Sequence, residues 1–170
     1  MHLNRSISGL LMVAVFLLQG CIDSGPSQAE QEKALEKLNK NTMSVAVSLK
    51  SMLNAEQDFA QRQVVPLKVD IQTWWISLTA TRLNLGRIKS TLTEYPGLID
   101  AARNLWTGRI QGKMNQIIES GTLTKMTGPI TSRLVENYDE SRVERETSQV
   151  LELSAQISTL LGIKSDASNE

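Results

Sequence analysis

Cysteine and histidine are almost missing from this chain: its 170 residues contain one of each, Cys21 and His2. A lone cysteine closes no disulfide within the chain, so packing alone must hold the fold together. From residue 22 onward there is neither residue type. That excludes most zinc, copper and haem sites, and the Ser-His and Cys-His nucleophile systems. No metal and no cofactor is expected. An excess of charge of one sign is lacking too, with 18 basic and 18 acidic residues. Nucleic-acid binding calls for a basic footprint, and none is present. Proline occurs four times. Gly and Pro interrupt the chain beyond residue 21 chiefly at Gly25-Pro26, Pro66, Pro96-Gly97, Gly121, Gly128-Pro129 and Gly162. The long stretches between them are rich in Leu, Gln, Glu, Lys, Ala and Arg, all good helix formers. Val and Thr are scattered and do not alternate, so the natural reading is all-α.

The chain opens with a polar stretch containing Arg5, continues through an apolar run from Ile7 to Leu18, and reaches Leu18-Gln19-Gly20-Cys21. A positive end, an apolar middle and a small residue at the cut are the order of a secretory signal. The run is short for a membrane span, which takes about 20 apolar residues. Leu-x-Gly-Cys resembles the lipobox of bacterial lipoproteins. The resemblance covers residues 1–21 only, and no family is identified for the remainder. It implies cleavage between Gly20 and Cys21, loss of residues 1–20 as a signal peptide, and acylation of Cys21, palmitate included. Two or more acyl chains hold a protein firmly, at about 0.8 kcal/mol per buried CH₂. In lipoproteins of this kind an aspartate directly after the cysteine favours the inner membrane. Here that position is Ile22, which favours the periplasmic face of the outer membrane, with the inner membrane as the alternative.

Without residues 1–20 the chain has 150 residues, enough for one compact domain. Arg5 leaves with the signal, so 17 basic residues face 18 acidic ones, a net charge of −1. The expected organisation is a lipidated Cys21 and short tether to Pro26, a helical domain over 27–163, and a flexible tail over 164–170.

Four segments carry helical periodicity. The first, Ser27 to about Gln63, opens on Ser27-Gln28-Ala29-Glu30, a capping-box pattern. Its apolar positions are Leu35, Leu38, Thr42, Val45, Leu49, Met52 and Phe59, spaced like a heptad seam. The second, about Pro66 to Leu92, steps by four and three through Leu67, Ile71, Trp74, Leu78, Thr81, Leu85, Ile88 and Leu92. The third, about Pro96 to Ser120, has Ile99, Ala102, Trp106, Ile110, Met114 and Ile117 on one stripe, widened by Leu98, Leu105 and Ile118. Gly108 and Gly112, four apart, leave room for a close neighbour, and Gly121 is a plausible stop. The fourth, about Pro129 to Leu161, is charged in its first half. In its second half it is apolar at Val150, Leu153, Ser154, Ile157, Leu160 and Leu161, and Gly162 ends it.

Such seams cannot rest in water, so the stripes must face one another. The expected fold is an elongated antiparallel bundle of about four helices, up-down-up-down, with a long first helix. That helix could reach roughly 54 Å against about 39 Å for the second. Its N-terminal third is therefore expected to project as a stalk, or the protein to form a homodimer along it. Residues 64–95 sum to +2 and residues 131–163 to −3, which favours placing the fourth helix beside the basic middle pair.

Candidate sites are few. Trp74 lies on its stripe and reads as core. Trp75 points about 100° away, either covering a second helix or exposed as a partner contact. The acidic run from Glu136 to Glu146 could supply carboxylate chemistry, though a solvated helix face accounts for it. Arg82, Arg87 and Lys89 could form a basic patch, though snorkelling side chains account for it. Thr122-Leu123-Thr124-Lys125 has a hydroxyl-x-x-lysine spacing without a companion motif.

The sequence thus points to a periplasmic lipoprotein held at the membrane by Cys21. It reads as a non-enzymatic helical interaction module with a protein partner: an adaptor, assembly factor or exclusion-type protein. The alternative is a bundle binding an apolar or amphipathic small ligand where Thr42, Thr81 and Ser154 interrupt the seams.

Overall fold

A computed structural model describes residues 25–62, 68–121 and 138–163, with side chains described outside 58–70. The expectations placed on Gly20 and Cys21, on Phe59, Pro66 and Leu67, on Thr122–Lys125, on Pro129 and on the tail 164–170 lie outside the described residues.

Helix α1 spans Gln28–Arg62. The reciprocal bonds encoded at its start are made: the Ser27 amide donates to Glu30 Oε2 at 2.7 Å, and the Glu30 amide donates to Ser27 Oγ at 3.3 Å. The Ser27 amide bond foremost, and then the Ser27 hydroxyl donating to the same Oε2 at 2.9 Å, hold the Glu30 carboxyl below the ordinary carboxylate range. Helix α2 spans Lys68–Glu94. Ile71, Trp74, Leu78, Thr81, Leu85, Ile88 and Leu92 are all buried along it, as the four-three spacing requires.

The third element is one rod with three kinds of turn. Pro96–Leu98 is 3₁₀, α3 is Ile99–Trp106, Thr107–Gln111 is π-helical, and α4 is Gly112–Ser120. The π segment follows from the spacing of the buried residues. Leu98, Ala102, Trp106, Ile110 and Met114 recur every four residues and are all buried. On a continuous α-helix each step of four turns the stripe by about 40°, so four steps would carry it to the opposite side. A π turn takes up an additional residue and brings the stripe back. Gly121 ends the rod in the left-handed region at φ 65°, which an L side chain adopts only with strain.

Helix α5 spans Glu140–Leu160. The sequence places its start near Pro129, yet Tyr138 and Asp139 are not helical. The extended Asp139 is the N-cap, its carboxylate accepting from the Arg142 amide at 3.0 Å. The inner stripe also begins earlier than the apolar half suggests, with Val143, Glu146 and Thr147 buried ahead of Val150, Ser154, Ile157 and Leu161.

Cross-helix contacts fix the arrangement. Thr81 meets Met52, and Tyr95 just past the end of α2 lies near Glu30 at the start of α1, so α2 runs antiparallel to α1. Asn39 meets Arg109 and Glu56 meets Ser120, so the rod runs parallel to α1. Thr79 meets Glu146, and Lys89 shares a groove with Gln156, so α5 runs parallel to α2. Consecutive elements therefore alternate in direction, as expected of an antiparallel up-down-up-down bundle. The order around the axis is rod, α1, α2, α5, with the rod beside α1 and the acidic α5 beside the basic α2. Arg103 Nε, donating to the Leu161 carbonyl at 2.7 Å, joins the rod to α5.

Three local expectations are corrected. The seam of α1 begins at buried Ala34, while Leu35 turns toward the rod and is exposed. Leu160 and Ile118 are likewise exposed, flanking their stripes. The N-terminal third of α1 is no stalk, because Ala34 and Leu38 are buried where the start of the rod packs along it.

Gly86 sits inside α2, and a Cβ built there meets nothing within 4 Å. Gly86→Ala is expected to stabilise the protein by about 0.5–1 kcal/mol through reduced unfolded-state entropy, measurable by urea unfolding.

Candidate functional site

The most polar contact between helices lies where α2 meets α5. Trp75, Thr79 and Arg82 sit at four- and three-residue spacing, on one side of α2. Arg142 and Glu146 are one turn apart on α5, and Tyr138 lies just before its N-cap. Glu146 is the centre, a carboxylate only 5% exposed. The Thr79 hydroxyl donates to its Oε2 at 2.5 Å, and Arg142 Nε donates to its Oε1 at 3.1 Å. Arg82 Nε lies 3.8 Å from the same Oε1, an ion pair beyond hydrogen-bond reach. Burying a carboxylate is tolerable only with such partners. Glu146 thus departs from the solvated face expected of the acidic run, although Glu140 and Glu144 are exposed as expected.

Trp75 belongs to the same assembly. Its ring packs edge-on to Tyr138, with centroids 5.9 Å apart and planes at 67°. The Arg142 guanidinium lies 5.4 Å from the indole centroid, so one arginine serves both the carboxylate and the ring. Of the two alternatives the sequence leaves open, Trp75 covers a second helix. It is partly buried against the core, and the exposed large side chain here is its neighbour Ile76. Some polar atoms in and beside the cluster are buried without a hydrogen-bond partner among the described residues: Trp75 Nε1, Thr147 Oγ1, Arg82 Nε and, in the core, Trp74 Nε1.

The basic trio does not form one patch. Arg82 serves Glu146, and Arg87 turns away to donate to Asn84 Oδ1 at 3.3 Å. Arg82 and Lys89 both border an open groove of about 360 Å³ between α2 and α5, with Leu83, Gly86, Gln149 and Gln156. A wider groove of about 730 Å³ follows the boundary of α1 and the rod. Leu35, Ala101, Leu105 and Gly108 line it, with Glu32 and Glu36 on one wall and Arg109 on the other. Arg109 is tied across to Asn39 Oδ1 at 2.7 Å. No close neighbour uses the space left by Gly108 or Gly112, since a Cβ at either meets nothing within 4 Å. Two of the seam hydroxyls have their own contacts, Thr42 with the Leu38 carbonyl and Thr81 with Met52 Sδ.

Chemically, the Glu146 cluster holds two helices in register. Both carboxylate oxygens are engaged, and among the described residues no group of His, Cys, Asp and Glu is placed to hold a metal ion. Sequence reasoning missed Glu146 because the residues around it are charged. The available signal was Val143-x-x-Glu146-Thr147-x-x-Val150, which puts position 146 on the inner side of the helix.

No family model, no curated protein and no solved structure matches the chain.

Two outcomes follow from the cluster. Glu146→Ala is expected to destabilise by about 2–3 kcal/mol, through lost charge-assisted bonds and a cavity. Glu146→Leu, which refills the space, is expected to cost less than half as much; urea midpoints compare the two. Burial first, then the charges of Glu140 and Glu144, push the Tyr138 hydroxyl up to about 12. The folded state therefore keeps a proton that the unfolded chain, titrating near 10, gives up. Its contribution to stability is complete below pH 10 and declines between pH 10 and about 12. Tyr138→Phe should flatten the pH dependence of unfolding in that window.

Proposed function

We propose that this protein is a lipid-anchored lipoprotein of the cell envelope, on the periplasmic face of the outer membrane. In this reading it acts without catalysis, as a helical module that engages another protein in the manner of an adaptor, assembly factor or exclusion-type protein. The anchor rests on the signal-like start and the Leu-x-Gly-Cys ending at Cys21. Among the described residues no helix is long and apolar enough to cross a membrane.

One observation carries the interaction part, the outward face of α2. Ile76 is 69% exposed, and Leu83, two turns further on, is 46% exposed. The eleven residues from Ile71 to Thr81 contain no charged residue. Isolated exposed apolar side chains are ordinary. Here two share one stripe, Ala80 lies between them, and no charge breaks the first half. A stripe of this kind is what a partner's apolar side chains can desolvate.

A photo-crosslinking side chain at position 76 tests both parts in cells. The expected result is a discrete adduct with one envelope protein, lost when Cys21→Ala releases the chain from the membrane fraction. An anchored protein that gives no adduct removes the interaction face. Unchanged membrane association of Cys21→Ala removes the lipid anchor.

A further inference from the structure

We propose that the outward face of α1 docks onto the same face of a second copy of this chain, antiparallel, about a two-fold axis at Met43. Met43 is 50% exposed and Val47, one turn later, is 58% exposed, both opposite the seam that α1 buries. Glu36 lies seven residues before Met43 and Lys50 seven after, both exposed. Neither has an ion-pair partner among the described residues. Seven residues are two turns, so these side chains share one face, with Glu36 at one end, Lys50 at the other, Met43 and Val47 between them, and exposed Lys40 one turn after Glu36.

The order of charges selects the orientation. An antiparallel two-fold at Met43 sets Met43 against its counterpart and Glu36 against Lys50 of the second copy, twice by symmetry. Parallel pairing would set Glu36 on Glu36 and Lys50 on Lys50, which is repulsive at both ends. The stripe is about four turns long, so the contact falls below the roughly 1,200 Å² at the small end of stable interfaces. Pairing is therefore weak in dilute solution and, if Cys21 carries the proposed lipid, gains from confinement to one leaflet. Because the two N-termini point in opposite directions, the pair lies along the leaflet with one anchor at each end.

Cysteine crosslinking of the full-length protein in cells, with a membrane-permeant oxidant, tests the register. Met43→Cys should give a disulfide-linked dimer. Glu36→Cys or Lys50→Cys alone should not, since each lies about 21 Å from its own counterpart. The double variant Glu36→Cys/Lys50→Cys should give the dimer again. Glu36→Lys should reduce Met43→Cys crosslinking about two- to tenfold, and adding Lys50→Glu should restore it. Absence of a Met43→Cys dimer overturns the proposal. So does Glu36→Cys crosslinking as well as Met43→Cys, or indifference to Glu36→Lys. A dimer of the unsubstituted chain would report a free Cys21 thiol. That outcome sinks the anchor reading alone, and the α1 register is then read in a Cys21→Ser background.

Discussion

The stripe of α2 from Ile71 to Leu92 must leave water on two sides at once, and the rest of the bundle is arranged around that requirement. Covering one side takes α1, antiparallel and in contact over most of its length. Covering the other takes α5, which runs parallel to α2. A parallel neighbour cannot follow directly in sequence, so the rod from Pro96 to Ser120 intervenes and lies against α1. The bundle consequently has α1 and α2 as its centre pair and the two later elements as flanks. Without disulfides, apolar burial of this kind is the main stabilising term, at about 25 cal/mol per Å² removed from water.

Against that background the Glu146 cluster has a specific consequence. Apolar stripes slide past one another at modest cost when one turn looks like the next. A buried carboxylate engaged by Thr79 and Arg142, with Arg82 near, does not. Shifting α5 by one turn would carry Glu146 and Arg142 together away from Thr79 and Arg82, leaving the buried carboxylate with one bond where it now has two and an ion pair besides. The cluster therefore sets register, while the seams supply stability. At the other end of α5, the bond from Arg103 to the Leu161 carbonyl fixes the rod against the same helix. Thr79 and Arg82 of α2 near its start, and Arg103 of the rod at its end, thus hold α5 near both ends.

How much of this was legible in the sequence differs by element. The stripe of α2 could be read residue by residue, because its steps of four and three match the α-helical period throughout. The capping box at Ser27 and the glycine stops at 121 and 162 were legible for the same reason: each is local chemistry. The start of α5 was not, since Asp139 is one acid among several and only the extended backbone distinguishes it as a cap. Leu35 misled because size suggested burial, whereas small Ala34 is the residue on the buried side of the helix. The π segment was present in the sequence as four consecutive steps of four, a spacing that no straight α-helix can keep on one side. Trp75 and Glu146 depend on which helix lies beside α2. Periodicity does not carry that information, and net charge only hinted at it.

The two exposed apolar stripes differ in a way that bears on what each can accept. On α2, Ile76 and Leu83 sit in a stretch with little charge, so nothing on that face specifies direction, and a partner must bring its own complementarity. On α1, Met43 and Val47 lie between Glu36 and Lys50, with Lys40 also exposed, and the end charges match when the order is reversed. In the two proposals above, the first face takes an unlike chain and the second a like one. They occupy different helices, Met43 toward the half of α1 nearest the tether and Ile76 toward the far half of α2, which runs the other way. Occupation of one therefore leaves the other open. With the proposed lipid on Cys21, the five residues from Ile22 to Pro26 would reach at most about 17 Å when extended, and paired copies would each present a free α2 face near the leaflet. Pairing would raise the avidity of that face for a partner without any change in the contact itself.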